Sequence, residues 1–394
     1  MDIRRAVIIV MDSCGVGEAP DAADYGDVGA DTIGHVSEAV GGLSLPNFQA
    51  AGLGNLHPAI LGVPPSEKPT MAFGRMREAS GGKDSTTGHW EIAGLVTEHP
   101  HATFTDTGFP AELVERLTAE TGYQYIGNYA ASGTVIIDDL GPEHLETGAL
   151  ILYTSADSVL QIAAHDSVAD VPELHRVCGI ARTICDDYGI GRVIARPFIG
   201  EIGSFHRTYD RKDFAMPPHG PTIIDKVKDA GLRTYGVGKI EDLFVGRGLT
   251  DAVHTEGDRD GLERTVAAIN ETEQGLIFTN LVDLDMRYGH RENPEGYAAG
   301  LAVIDEFVPH LLEALTPLDL LIFTADHGND PTDGDTDHTR EYVPLLVWSG
   351  GAAGVNLGAR DQYTDVAATV ANGFDLEPFP IGASFLHDIT DHHS

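Results

Sequence analysis

Four short apolar runs stand out in the hydrophobic pattern of the chain. They are rich in β-branched residues and end at polar residues, a pattern typical of parallel strands that are covered on both faces. We therefore predict four buried parallel strands. The runs are RAVIIVM (5–11), GLIFTNLVD (275–283), LDLLIFTAD (318–326) and YVPLLVWSG (342–350).

Segments between these runs have the spacing of apolar residues that predicts helices. GLERTVAAINETE (261–273) precedes the second run, and PEGYAAGLAVIDEFVPHLLEAL (294–315) lies between the second and the third. DQYTDVAATVANGF (361–374) follows the fourth. Alternation of strands and helices along the chain predicts an α/β fold with helices on both faces of the sheet.

The middle of the chain has a different pattern. The alternation is looser there, and we predict long, arginine-bearing loops over IARPFIGEIGSFHRTYDRKDFAMPPHG (194–220). Proline, glycine and histidine cluster in TEHPHATF (97–104) and AMPPHGPT (215–222), a composition typical of domain boundaries. We therefore predict a core domain of residues 1–99 and 218–394, with a second domain, residues 100–217, inserted into it.

The charge balance limits the partners of the chain. It contains 61 acidic and 25 basic residues among 394, a formal net charge of −36 at pH 7. Such a chain repels nucleic acid and anionic membranes, so we predict neither as a partner. A phosphate ligand is repelled as well. Any phosphate site therefore needs local positive charge from metal ions or clustered arginines.

Cysteine usage and hydropathy indicate a cytoplasmic protein. Cys14, Cys178 and Cys185 are too few and too scattered for a disulfide framework, which fits a reducing compartment. Cys178 and Cys185 are placed to share one helix face. The apolar run near the N-terminus is too short for a signal peptide, and no run reaches the roughly 18–20 residues of a membrane span.

Carboxylates and imidazoles follow three of the predicted strands. A single aspartate after a strand is usually a turn residue or a helix cap, but in open α/β sheets ligands bind outside the carboxyl ends of the strands. Three strand ends with the same chemistry therefore predict a shared site. The residues are Asp12 after the first run, Asp283, Asp285 and His290 after the second, and Asp326, His327 and His338 after the third.

Oxygen and imidazole donors without thiolate suit manganese, zinc, magnesium or iron. Six donors from these seven residues are too many for one four-coordinate ion and suit two. Two ions about 3.5–4 Å apart would clamp a phosphoryl group. A calcium-binding loop beginning at Asp333 is excluded, because its sixth and twelfth positions would be His338 and Pro344 rather than glycine and glutamate.

The stretch SGGKDSTTGHWE (80–91) contains three consecutive hydroxyl side chains. A nucleotide-binding P-loop is excluded because Asp84 stands directly after the lysine and Arg77 stands at the position of the first glycine. A helix start remains, where a hydroxyl of Ser85, Thr86 or Thr87 either caps the helix or acts as a nucleophile. A metal ion on the oxygen would activate such a nucleophile.

Eight stretches spread over nearly the whole chain resemble the phosphopentomutase family of the alkaline phosphatase superfamily. The resemblance implies a metal-binding α/β core with a smaller α/β cap domain inserted between its halves. The stretches are VMDSCGVGEAPDA, DTIGHV, GKDSTTGHWEIAGL, YTSADSVLQIAAH, GRVIARPF, VGKIEDLF, DMRYGHR and TADHGNDPTDGDTDHTREYVPLL.

The resemblance also implies roles for individual residues. Asp12, Asp326 and His327 match the ligands of one manganese ion, and Asp285, His290 and His338 match those of the other. The phosphorylated residue follows GKD and is Ser85, at a position where family members may carry threonine. Thr86 or Thr87 then caps the helix. Asp283 has no assigned ligand role, and we predict a structural one.

The implied reaction interconverts the 1- and 5-phosphates of ribose and deoxyribose through a phosphoserine enzyme and a sugar bisphosphate, which also serves as the activating primer. We expect a small-molecule sugar phosphate as substrate and no obligate protein partner. The resemblance and the need for local positive charge suggest Ser155, Arg196, Arg207, Arg211 and Lys239 for substrate contacts. Two alternatives remain, a metal-dependent phosphatase or phosphodiesterase of the same superfamily and a non-catalytic metal-binding relative.

Overall fold

The computed structural model describes residues 3–155 and 158–390 of the chain. Within these residues the backbone forms fourteen strands. They are β1 (Arg5–Met11), β2 (Ala72–Met76), β3 (Tyr125–Ala130), β4 (Leu150–Thr154), β5 (Val159–His165), β6 (Arg192–Ile199), β7 (His206–Arg207), β8 (Lys212–Ala215), β9 (Arg233–Val237), β10 (Asp251–Val253), β11 (Gly275–Leu281), β12 (Asp319–Thr324), β13 (Val343–Trp348) and β14 (Asn356–Arg360).

Fourteen α-helices lie in the same described residues, together with a π-helix (Leu284–Tyr288) and a 3₁₀ turn (Gly289–Arg291). The α-helices are α1 (Ala22–Tyr25), α2 (Thr32–Ala39), α3 (Pro46–Ala51), α4 (Leu53–Leu56), α5 (Ser85–Ile92), α6 (Ala111–Thr121), α7 (Gly133–Thr147), α8 (Val171–Asp186), α9 (Ile223–Asp229), α10 (Ile240–Phe244), α11 (Asp258–Glu271), α12 (Pro294–Ala314), α13 (Thr364–Gly373) and α14 (Leu386–Thr390).

The chain divides into two compact units. The core unit comprises Met1–His99 and Pro217–Ser394, and the inserted unit comprises Pro100–Met216. The core unit contains an eight-stranded sheet with the order β10-β9-β11-β1-β12-β13-β2-β14. The five strands β10, β9, β11, β1 and β12 run parallel to one another. All residues of β1, β11 and β12 are buried. The positions of the four predicted strands and of the three predicted helices are confirmed.

One prediction about the strands is wrong. The run at 342–350 was expected to be a parallel strand, but β13 is antiparallel to both of its neighbours, β12 and β2. A continuous apolar run indicates burial on both faces, and a strand can be buried in this way whichever direction it runs. The run therefore identified the strand but could not determine its direction.

Helices cover both faces of the core sheet, as β11 shows. Phe278 lies against the ring of Phe244 in α10, whereas the hydroxyl of Thr279 lies 2.8 Å from that of Thr265 in α11. Successive side chains of a strand point to opposite faces, so α10 and α11 lie on opposite sides. Asn280 then points to the same face as Phe278, towards α5.

The inserted unit is itself an α/β structure. Strands β3 to β7 form a sheet in chain order, and β8 pairs with β6. Helices α6 and α8 contribute to an apolar cluster that contains the buried Cys178 and Cys185, while Ile136 and Ile137 of α7 belong to a second cluster. The predicted long loops at 194–220 are wrong in part, because β6, β7 and β8 lie in this segment. Charged residues in β7 and β8 obscured the strand pattern there.

The sheet order brings the predicted site residues to one edge. Strands β11, β1 and β12 are adjacent, parallel and in register, so their carboxyl ends lie side by side. At their amino ends, Arg5 and Asp319 form a buried ion pair with an N–O distance of 2.5 Å. The three strand ends that lead to Asp12, Asp285 and Asp326 are therefore adjacent to one another.

Among the described residues, none of the helices has the length and apolar character that a membrane span requires.

Candidate active site

Asp12, Asp326 and His327 form the first group at the carboxyl edge of the core sheet. All three are almost fully buried. The Nε2 atom of His327 lies 3.5 Å from Oδ1 of Asp12 and 3.3 Å from Oδ2 of Asp326. One donor atom from each residue lies within 4.8 Å of the other two, a spacing that one metal ion can bridge. The sequence prediction placed these three residues together.

Asp285, His290 and His338 form the second group. Nε2 of His290 lies 3.3 Å from Oδ2 of Asp285 and 3.2 Å from Nε2 of His338, which is 3.4 Å from Oδ1 of Asp285. Asp285 lies in the π-helix and His290 in the 3₁₀ turn, so two departures from α-helical geometry place these side chains. Such π-helical turns are frequent at functional sites.

The two groups share a boundary at His327. Its ring stacks on the ring of His338 with 3.8 Å between the centroids, and donor atoms of His327, His338 and Asp285 also lie within 4.8 Å of one another. The sequence prediction assigned His327 to the first group alone. The structure places it in contact with both groups, so six side chains form one continuous cluster.

Confinement of the carboxylates shifts their pKa values in opposite directions. Burial, together with the charges of Asp326 and Asp285, raises the pKa of Asp12 to about 7. Burial acts in the same direction on Asp285, but hydrogen bonds from His290 and His338 hold its pKa well below its usual range. The hydrogen bond to Asp285 raises the pKa of His290 to about 9. The cluster therefore retains negative charge in a dry environment, where a cation is stabilised.

The donor set fits divalent metal ions. Oδ1 of Asp12 is buried and accepts no hydrogen bond from any residue that the structure describes. A buried carboxylate oxygen without a partner is costly, and a metal ion would satisfy it. Three carboxylates and three imidazoles without thiolate are donors that suit manganese, zinc, magnesium or iron, as the sequence indicated.

Backbone geometry after β1 helps to position the first group. Ser13 has a positive φ of 71° and its backbone N–H donates to Oδ1 of Asp326 at 3.2 Å. A non-glycine residue in this region carries strain, and such strain is found mainly at functional sites. The turn immediately after Asp12 thus fixes the carboxylate of the neighbouring strand.

Ser85 lies at the start of α5, beside the cluster. Its side chain is 8% exposed, and its Oγ atom lies 3.2 Å from Nε2 of His327. Of the three consecutive hydroxyl residues, Ser85 makes the contact with the predicted metal site. Because His327 also contacts the second group, the Ser85 hydroxyl lies where the two groups meet.

The prediction that a threonine hydroxyl caps α5 is wrong. The capping residue is Asp84, whose Oδ1 accepts hydrogen bonds from the backbone N–H groups of Thr86 and Thr87. Aspartate caps helices as well as serine and threonine do, so the three hydroxyls drew attention away from the residue before them. The hydroxyl of Thr87 donates to Asp84 and supports the cap.

The loop before Ser85 is fastened to the metal-facing loop. The Nδ1 atom of His338 donates to the carbonyl of Lys83 at 2.9 Å, which leaves Nε2 facing the cluster. Arg340, only 2% exposed, donates to the carbonyls of Glu78 and Gly82 and pairs with the Glu78 carboxylate at 2.7 Å. The position of Ser85 is therefore tied to that of a predicted metal ligand.

Sequence reasoning missed several polar residues that hold the cluster. Nδ2 of Asn329 donates to Oδ1 of Asp285 at 2.9 Å, and Nδ2 of Asn280 donates to Oδ2 of Asp12 at 2.9 Å. His89 lies next to both Ser85 and Asp326. Asn280 could have been found from the sequence, because an amide side chain in an otherwise apolar buried strand needs a polar partner.

Three arginines predicted for substrate contacts lie together in the inserted unit. Burial and the nearby charges of Arg211 and Arg207 lower the pKa of Arg196, and burial raises that of Tyr153 against the charges of all three. Arg196 donates to Gln161 and Arg211 forms two 2.6 Å hydrogen bonds with Asp213. Arg207 forms no ion pair within residues 3–155 and 158–390.

Ser155 and Lys239, the other two residues predicted for substrate contacts, lie in different units. Ser155 directly follows β4 in the inserted unit, and its carbonyl accepts a hydrogen bond from Thr105. Lys239 precedes α10 in the core unit, is exposed, and its charge acts to lower the pKa of Asp12. Asp283 accepts a hydrogen bond from the backbone N–H of Asp258, which agrees with a structural role.

Comparison with known proteins identifies relatives along nearly the whole chain. A family model described as the metalloenzyme superfamily matches residues 4–378. The phosphopentomutases of Caldanaerobacter subterraneus subsp. tengcongensis and Anaeromyxobacter dehalogenans are each 52% identical over 98% of this chain, covering 98% and 99% of the relative. The phosphopentomutase of Alkaliphilus oremlandii is 48% identical over 98% of this chain and 99% of the relative.

Solved structures with the same fold are more distant in sequence. Leishmania mexicana phosphoglycerate mutase aligns with a TM-score of 0.52 at 12% identity, covering 98% of this chain and 97% of that chain. A Pyrococcus horikoshii protein aligns with a TM-score of 0.51 at 14% identity, covering 97% and 100%. These likenesses confirm the predicted α/β fold class.

The close packing of α5 on the strand end after β12 leads to a prediction about Gly88. A Cβ atom on Gly88 would lie 2.4 Å from the carbonyl oxygen of Asp326. Gly88→Ala must therefore displace either the helix that carries Ser85 or the Asp326 backbone. We expect at least a tenfold loss of divalent metal affinity, measured by calorimetry with Mn²⁺.

Gly179→Ala is the matched control, because Gly179 also lies inside a helix, α8, and its added Cβ would lie no closer than 3.9 Å to the nearest side chain. Unchanged metal affinity in Gly88→Ala would show that the contact between α5 and the Asp326 backbone does not determine the geometry of the cluster.

Proposed function

The chain belongs to the phosphopentomutase family within the metalloenzyme superfamily, and from this we propose that it interconverts the 1-phosphate and the 5-phosphate of ribose or deoxyribose. Enzymes of this family are mutases, an isomerase class, and the chain is an enzyme of that class. One observation carries the proposed mechanism, the 3.2 Å contact between Oγ of Ser85 and Nε2 of His327. A hydroxyl at this distance from His327 supports a nucleophile beside the candidate metal ligands.

Six residues are proposed to hold two manganese ions. Bound divalent ions supply positive charge that stabilises a transferring phosphoryl group and lowers the pKa of a nearby hydroxyl. The partnerless Oδ1 of Asp12 supports the proposal, as do the short distances among the imidazoles and carboxylates. The proposed ligands are Asp12, Asp326 and His327 for one ion and Asp285, His290 and His338 for the other.

Ser85 is proposed to hold the phosphoryl group between half-reactions. The bond from phosphorus to the Ser85 oxygen breaks as a new bond forms to the free hydroxyl of the bound sugar monophosphate. The resulting bisphosphate then returns its other phosphoryl group to Ser85. Asp84 already accepts hydrogen bonds from the backbone N–H groups of Thr86 and Thr87, so these two donors at the start of α5 are not available to a phosphate. Metal ions held by the six proposed ligands would therefore supply most of the charge stabilisation.

Cationic side chains are proposed to bind the phosphate that does not react. In a chain with a net charge of −36, three clustered arginines in the inserted unit are the positive charge that a phosphate ligand requires. Arg207 is the best candidate, because Arg196 and Arg211 already have polar partners. Ser155 and Lys239 complete the proposed set of contacts.

The reaction is tested with ribose 5-phosphate, Mn²⁺ and a small amount of ribose 1,5-bisphosphate as primer. We expect ribose 1-phosphate to accumulate to equilibrium with little release of inorganic phosphate. Stoichiometric release of inorganic phosphate would instead identify a phosphatase that uses the same core. Metal binding without any turnover would identify a non-catalytic relative.

Ser85 can be tested separately from the overall reaction. With isotopically labelled bisphosphate and Mn²⁺, phosphopeptide mapping should place the label on Ser85, and Ser85→Ala should abolish transfer. Thr86→Ala is the control, since the backbone N–H of Thr86, not its side chain, contacts Asp84. Phosphoryl transfer by Thr86→Ala should be weakened but not abolished. Label on Thr86 would refute the assignment of the nucleophile while leaving the metal groups unaffected.

Arg207→Ala tests the phosphate contact. Loss of one charged hydrogen bond costs about 1.5–3 kcal/mol, so we expect the KM for ribose 5-phosphate to rise by about tenfold or more. Metal content should not change. Arg116→Ala is the control, because Arg116 lies in the same unit and pairs with Asp187 at its surface. Equal KM values for the two variants would contradict the role of Arg207.

A further inference from the structure

A buried histidine in the nucleophile helix has contacts that the mechanism so far does not use. His89 is fully buried and lies one helical turn after Ser85. Its Nδ1 atom lies 2.8 Å from the carbonyl oxygen of Ser85 and 3.0 Å from Oδ2 of Asp326. One ring nitrogen thus faces both the backbone of the proposed nucleophile and a proposed metal ligand.

The other side of the ring leads to a second proposed metal ligand. Nε2 of His89 lies 3.0 Å from Nδ2 of Asn280, which also lies 2.9 Å from Oδ2 of Asp12. Asn280 is fully buried in β11, on the same strand face as Phe278, whose ring stacks on that of His89. The amide therefore holds one oxygen of Asp12 and leaves Oδ1, the atom without a partner, to face the cluster.

The hydrogen-bonding roles along this chain of contacts are determined by chemistry. A carbonyl oxygen can only accept, so Nδ1 of His89 carries a proton and donates to Ser85. The amide nitrogen of Asn280 can only donate, so Nε2 accepts from it. The same amide group donates its other hydrogen to Asp12. Both ring nitrogens are used, and each has a different task.

We propose that His89 and Asn280 form a positioning pair that ties the Ser85 backbone to the Asp12 carboxylate, so that the proposed nucleophile and this metal ligand keep one geometry. The inference rests on the metal centre proposed above. Residues that orient metal ligands typically contribute 10–100-fold to metal affinity or activity. The two ring nitrogens have separate effects. Nδ1 holds the backbone of the proposed nucleophile and so affects activity, whereas Nε2 acts through Asn280 on Asp12 and so affects metal affinity.

Two substitutions at His89 separate these tasks. His89→Asn keeps an amide nitrogen near the position of Nδ1 but removes the acceptor for Asn280. We expect Mn²⁺ affinity of the metal-free protein, measured by calorimetry, to fall by about 10–100-fold. The kcat at saturating Mn²⁺ should fall less in this variant than in His89→Gln, because the contact with the Ser85 carbonyl is kept. Asn280→Ala should show the same loss of affinity, because it breaks the same link.

His89→Gln has the opposite expected pattern. Its amide reaches the position of Nε2 and keeps a polar partner for Asn280, but it cannot donate to the Ser85 carbonyl. We expect Mn²⁺ affinity within about threefold of the unchanged protein. We expect kcat for ribose 5-phosphate to fall by about tenfold or more even at saturating Mn²⁺, with little change in KM.

His144 provides a matched control for the loss of any buried histidine. It is also fully buried, its Nδ1 donates to the carbonyl of Ala149 at 2.6 Å, and its Nε2 accepts from the backbone N–H of His165 at 2.8 Å. It lies in the inserted unit. His144→Asn should lower the melting temperature without changing Mn²⁺ affinity, whereas an equal loss of affinity would overturn the proposal.

The outcomes distinguish this proposal from the proposed function. If the unchanged protein binds no Mn²⁺ in calorimetry, the metal centre is wrong and the positioning pair is wrong with it. If it binds Mn²⁺ but folded His89→Asn and Asn280→Ala bind it equally well, only the positioning pair is refuted. Loss of affinity in both variants, together with the reverse pattern in His89→Gln, supports it.

Discussion

Three carboxylates within a few ångströms of one another, at a dry sheet edge, are the constraint from which the rest of this structure follows. Like charges in a medium of low polarity repel strongly, and without compensation at least one of them takes up a proton. The opposite shifts of Asp12, raised to a pKa of about 7, and Asp285, held low by two imidazoles, show that compensation is local and uneven. A divalent ion, as proposed for this site, would remove the remaining imbalance.

The compensation extends beyond the predicted ligands. Asn280 and Asn329 each donate to one carboxylate oxygen, and the backbone of Ser13 donates to another. These donors orient the carboxylates as well as stabilising them. The loop that carries Ser85 is attached to the same framework through His338 and Arg340. Chemistry and folding are therefore difficult to separate here, because the groups that hold the proposed nucleophile also hold the cluster of candidate ligands.

The sequence predicted the strand ends and their convergence because both depend on local patterns and on a general rule for parallel sheets. Asp12 and Asp326 could be found as polar residues that directly follow buried apolar runs. The direction of β13 could not be predicted, because apolar continuity carries no information about direction. Asp84 was missed as the cap since three hydroxyl residues competed for that role. The contacts of His89 depend on the packing of α5 against β11, which no local pattern encodes.

The reversed direction of β13 has a consequence for how this site can change in evolution. Because β13 begins where β12 ends, the intervening stretch, residues 325–342, never leaves the active edge of the sheet. One uninterrupted stretch therefore supplies Asp326, His327 and His338 together with Arg340. An insertion or deletion within it would displace both the candidate metal ligands and Arg340, whose hydrogen bonds hold the loop before Ser85. Length changes there would therefore disturb both groups of candidate ligands at once, because the stretch contributes residues to each of them.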